Sequence, residues 1–143
     1  MAAISYLGSV TGTGTGSITL SLTSLGLQEG DVVVASVATA DGGSSTGVPT
    51  ITTSGYTDVA TVTDGGGGAG SFEYIRLRVA YKRMGATPDT SVAMSNSVSP
   101  AGCSTMVVKA YRNVRSDVTD LWTTDSSRGT VAANPPSLLP PYS

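Results

Sequence analysis

The sequence predicts an all-β fold: an antiparallel β-sandwich, jelly-roll-like, of about seven or eight strands. Three observations carry this. The 143 residues include 18 Gly and about 40 Ser and Thr but only 13% charged residues, a composition poor in helix formers and rich in residues that suit strands and turns. Apolar residues recur with a period of two, most cleanly in Phe72 to Arg83 (FEYIRLRVAYKR), where Ile75, Leu77, Val79 and Tyr81 alternate with Arg76, Arg78, Ala80 and Lys82; that is the pattern of a half-buried strand. The segments between patterned runs are Gly, Ser, Asp and Pro clusters with turn chemistry.

The elements follow in order. Residues 2–9 form an edge strand, and TGTGTGS after them reads as a flexible low-complexity turn. Ser17 to Leu22 points Ile18, Leu20 and Leu22 to one side, and Gln28 to Asp31 make a turn. Asp31 to Thr39 (DVVVASVAT) is almost entirely apolar or small, as expected of a central strand buried on both faces. A Gly/Ser loop (40–49), a short strand (50–52) and an alternating strand (56–63) precede the tip DGGGGAG and the strand 72–83. In that strand the apolar side is expected to look into the core and the cationic side outward. A GATPD turn, a strand with Val92 and Met94 inward and the strand Cys103 to Val114 complete the domain at residue 115. Residues 116–143 hold a last short strand around Val118, Leu121 and Trp122, then NPPSLLPPY, whose four prolines give an extended arm.

Several chemistries are excluded or disfavoured. There is no His, so neither a Ser-His-acid nor a Cys-His site is available. Cys103 is the single cysteine; no intramolecular disulfide is possible, and at a strand start it reads as a small buried residue. Gly65, Gly67 and Gly70 match a dinucleotide fingerprint in spacing, but a strand follows where the motif needs a helix. Asp31, Asp41, Asp58, Asp64, Glu73 and Asp89 lie mostly in or beside turns, where Asp bonds its own backbone; no EF-hand-like spacing accompanies them. No catalytic residue, metal or cofactor is therefore assigned. No apolar run is long enough for a transmembrane helix, and the N-terminal residues lack signal-peptide character, so synthesis in a cytoplasm is expected.

Charge is more informative. Net charge is −2, yet seven of the eight basic residues lie between 76 and 115. If the strands 72–83 and 103–114 are close, Arg76, Arg78, Lys82, Lys109 and Arg112 form a basic patch able to dock on an acidic protein surface. Nucleic acid is a weaker expectation, because exposed aromatics are not interleaved with these cations. Trp122, Pro135, Pro136 and Tyr142 are the candidate anchors of the C-terminal arm.

The ordered set EGDVVVASVATADGG (29–43), SGYTDVATV (54–62), RLRVAYKR (76–83), ATPDTSVAMS (86–95) and MVVKAYRNV (106–114), with NPPS at 134–137, resembles a domain type frequent in bacteriophage structural proteins and some bacterial surface proteins. Tyr56 stands where that family commonly has Trp, and the family usually continues into a further strand beyond the position of Ser143. The resemblance implies a non-enzymatic virion protein: a capsid decoration, head fibre or tail component that binds other virion subunits and self-associates into symmetric oligomers. The alternative is a carbohydrate-binding adhesin module contacting host-surface glycans through the loops 40–49 and 64–70.

Overall fold

The computed structural model of the chain describes residues 3–41, 49–65, 74–96 and 103–115. They form eight strands: β1 Ser5–Gly14, β2 Ile18–Ser21, β3 Val32–Asp41, β4 Thr50–Ile51, β5 Thr57–Gly65, β6 Tyr74–Arg83, β7 Ser91–Ser95 and β8 Cys103–Arg112. All pairings are antiparallel, in a five-stranded sheet of order β1-β8-β3-β6-β5 and a three-stranded sheet of order β2-β7-β4. The pairings β1–β8, β2–β7 and β3–β6 nest inside one another, as they do when a long hairpin is rolled into a jelly roll. Here β5 joins β6, which widens one sheet and leaves the other narrow.

The core lies between the sheets. Val33, Ala35 and Val37 of β3 and Met106, Val108 and Ala110 of β8 meet Ile18, Val92 and Met94 from the small sheet. Leu22, which precedes the 3-10 turn Thr23–Leu25 that follows β2, and Leu25 on that turn close one end. Burial alternates along β8 from Ser104 to Ala110, so the period of two holds there as the sequence indicates.

Four sequence expectations are corrected. The Gly-Thr run is not a turn: Gly12, Thr13 and Gly14 belong to β1 and pair with Met106, Thr105 and Ser104. Its own alternation explains this. Glycine faces inward because a Cβ on Gly12 would sit 2.5 Å from Leu20 Cδ2, so the close approach of β2 requires the missing side chain. β3 is central but buried along its whole length on one face only: on the other, Val32 is buried, while Val34, Ser36 and Ala40 are half-buried and Ala38 is exposed. Cys103 is exposed rather than buried. Most consequentially, β6 presents the opposite face. Arg76 is 6% exposed and Ala80 fully buried, whereas Ile75 is 57% and Leu77 38% exposed. The register decides it: Val33, Ala35, Val37 and Thr39 pair with Lys82, Ala80, Arg78 and Arg76, and directly opposed residues share a face.

Truncation of neighbours on opposite faces of β8 tests this assignment. Met106→Ala removes a fully buried side chain and should cost about 3 kcal/mol in denaturant unfolding. Val107→Ala, one residue on but facing outward, should cost under ~1 kcal/mol.

Candidate functional site: the cation rung and the outer sheet face

β6 and β8 both flank β3, so the two basic strands are near neighbours but not adjacent. Their cations divide between the two faces. Arg76, Arg78 and Lys82 of β6 and Arg112 of β8 lie on the inner side; Lys109 lies on the outer side and is exposed. The single basic patch read from the sequence is thus split, and Arg78, Lys82 and Arg112 are among the members engaged within the chain.

Arg78 grips Asp58 of β5 through the Nε–Nη2 edge of its guanidinium, with Nε donating at 2.7 Å, and Nη1 donates to the Pro49 carbonyl at 3.0 Å. Lys82 Nζ contacts both oxygens of Asp89 at 2.7 and 2.8 Å, donates to the Ser54 carbonyl at 3.0 Å, and lies 5.8 Å from the centre of the Tyr56 ring. Both cations therefore reach from the large sheet to the segments flanking β4 and preceding β7. On the other side of β3, near the level of Lys82, Arg112 donates to both oxygens of Asp31 at 2.9 and 2.8 Å and to the Gly26 carbonyl at 3.0 Å. Asp31, 2% exposed, also accepts from the Gln28 backbone N–H at 2.8 Å. This cluster fixes the turn before β3 against the end of β8, and Arg83 adds a tie to the carbonyls of Gly30 and Val114. The sequence marked Asp31 and Asp89 only as turn residues; what it could not reveal was that Asp31 faces Arg112 from the distant β8 and that Asp89 folds back onto Lys82 of the preceding strand.

The ionisation of these groups follows from their partners. The Arg112 guanidinium holds the Asp31 carboxyl below its ordinary value of 3.8 against the opposing effect of burial, and Arg78 does the same for Asp58. Burial, with the negative Asp89 adding to it, pushes the Tyr56 phenol far up. Its hydroxyl is buried without a hydrogen-bond partner among the described residues.

The outer face of the five-stranded sheet is the converse of this polar layer. Ile75 and Leu77 stand exposed on β6, next to Ala40 and Ala38 of β3, with Val79 and Tyr81 half-buried beyond them. Across β3, Val107 continues the apolar strip, and Thr105, Thr11 and Thr13 make the β8–β1 side hydroxylated. At one corner Tyr6, 57% exposed, meets Tyr111 with ring centres 5.6 Å apart. A contiguous apolar strip on a sheet face marks an interaction surface.

Trp122, Pro135, Pro136 and Tyr142 lie outside the described residues, as do most of the loops 40–49 and 64–70. Among the described residues, no group of three acidic or cysteine side chains is placed to hold a metal ion, and no helix is long and apolar enough to cross a membrane. Comparison with protein-family models, with curated proteins and with solved structures finds no match.

Two measurements check the polar layer. The lowered pKa of Asp31 means that the folded chain binds fewer protons than the unfolded one. Its stabilisation is complete above the ordinary carboxylate range and is lost as pH falls through the folded value. Asp31→Asn should therefore lower stability at neutral pH and flatten the decline that sets in as pH falls below about 4, read by denaturant unfolding across a pH series. Tyr56→Phe removes an unpaired buried hydroxyl and should leave stability unchanged or raise it by about 1 kcal/mol.

Proposed function

We propose that the protein is a non-enzymatic structural component of a bacteriophage virion, of the capsid decoration, head fibre or tail accessory kind. It is made in the host cytoplasm and binds other virion subunits through the outer face of its five-stranded sheet. The observation that carries the assembly reading is that face: Ile75 and Leu77 exposed, bordered by small and apolar residues of β3, on a sheet whose cations mostly serve its own interior. An apolar, weakly charged surface fits lasting contact with other protein subunits better than transient contact with an anionic polymer. The virion assignment adds the sequence resemblance to this geometry. The interface is placed on the outer face of β3 and β6 rather than on Arg76, Arg78 and Lys82.

A second reading draws support from the Tyr6–Tyr111 pair, a partly exposed aromatic corner of the kind on which a sugar ring can stack. It makes the chain a glycan-binding module and moves the binding site from the loops to the sheet face.

Immunogold electron microscopy on particles from the culture that produces the protein separates these readings. Label over the shell or on the tail is expected; unlabelled particles, with saturable glycan-array binding that Tyr6→Ala abolishes, would replace the virion reading with the glycan one.

A further inference from the structure

We infer that the outer face of the five-stranded sheet is a self-association surface, on which a second copy of this chain docks face to face about a two-fold axis. The inference rests on the reading of that face as an assembly surface and names its occupant.

Three observations point to a second copy. The first is area. Five strands of nine or ten residues make a face of roughly 24 Å by 33 Å, about 800 Å², which is what one partner contributes to a standard-size stable interface. The second is charge. Among the described residues of this face the cations are Arg83, tied at one end to the Gly30 and Val114 carbonyls, and Lys109, and the register sets one acidic position, Asp64 of β5, opposite Ile75, so neither sign of charge dominates. Such a face gives a partner of either charge little to recognise, whereas an uncharged apolar strip is complementary to itself. The third is the layout of the strip. Ile75, Leu77, Val79 and Tyr81 run the length of β6, level with Ala40, Ala38, Ser36 and Val34 of β3.

An isologous contact must bring the same patch from both copies together. An axis lying in the interface, perpendicular to the strands and between the levels of Leu77 and Val79, lays β6 on β6 and β8 on β8. Ile75 then covers Tyr81 of the second copy, and Leu77 covers its Val79. Lys109 comes over the Cys103 end of the opposing β8, so the two ammonium groups sit at opposite ends rather than against each other. Aligned packing of two sheets at their usual spacing of about 10 Å completes the contact.

Cys103 is the only cysteine in the chain, is exposed and lies on this face, paired with Ala40. It is therefore a built-in reporter. In the arrangement above the two Cys103 backbones are about six residues apart along the strands and one sheet spacing apart across the interface, roughly 20–25 Å.

The test uses the full chain. Light scattering at micromolar concentration should give a dimer, and Leu77→Glu should convert it to a monomer with an unchanged far-ultraviolet spectrum and cooperative unfolding. Arg112→Lys, on the inner side, should remain dimeric. Electron-electron distance measurement with a nitroxide on Cys103 should give a distribution centred near that separation, abolished by Leu77→Glu. A monomeric wild-type chain overturns the inference, as does a dimer that survives Leu77→Glu. The assembly reading is tested apart from this: a monomeric chain found on labelled particles would overturn self-pairing alone. A dimer absent from particles would overturn the virion reading alone.

Discussion

The structure depends on a mismatch of widths. A five-stranded sheet spans roughly 24 Å across its strands and a three-stranded one roughly 14 Å, so the small sheet leaves part of the large one's inner side uncovered. Over β1, β8 and β3 the inner residues can be apolar, because Ile18, Val92 and Met94 pack on them. Under β6 an apolar layer would face the rim of the small sheet and water. The chain places long cationic side chains there instead. Arg78 and Lys82 cross the gap on their aliphatic stems and end on carbonyls and carboxylates beside β4 and ahead of β7, so their stems shield the rim while their charges are satisfied.

This solution is conditional. A cation facing an interior is tolerable only while its partners hold, since losing one leaves an uncompensated charge in a poorly solvated place. Each inward cation just described is accordingly met by more than one acceptor: Arg78 by Asp58 and Pro49, Lys82 by Asp89 and Ser54, Arg112 by Asp31 and Gly26. The same economy explains the outer face. With the polar half of β6 committed inward, its apolar half has nowhere to go but outward, so the exposed strip follows from how the sandwich closes.

Much of this was legible in the sequence. Period-two alternation located the strands because it is a local property of the pleat, and turn residues separated them correctly at Gly85 to Asp89. Which face of β6 turns inward was not legible: alternation is symmetric, and the choice was made by pairing with β3, 33 to 51 residues away along the chain. The strand character of Gly12 to Gly14 was hidden for a related reason, because glycine reads as a turn signal unless the side chain arriving from β2 is known. Asp31 and Asp58 looked like turn residues because their partners, Arg112 and Arg78, are distant in sequence.

The alternative register shows how firmly that choice is held. Sliding β6 by one residue against β3 would turn Ile75, Leu77 and Val79 inward and the arginines outward, which burial alone would favour. Three features oppose the slip. Met84, directly after β6, is buried in the core, and its backbone exchanges hydrogen bonds with Asp31 and Gly30, so the end of β6 is pinned to the start of β3. Arg78 and Lys82 would lose the acceptors they reach on the inner side. Asp58, beside a register shift in β5, and Asp89 would be left without their cations. The polar contacts are thus less a source of net stability than a device that selects one of two apolar registers. By selecting the one that leaves β6 apolar side out, they create the surface on which the protein's function is proposed to depend.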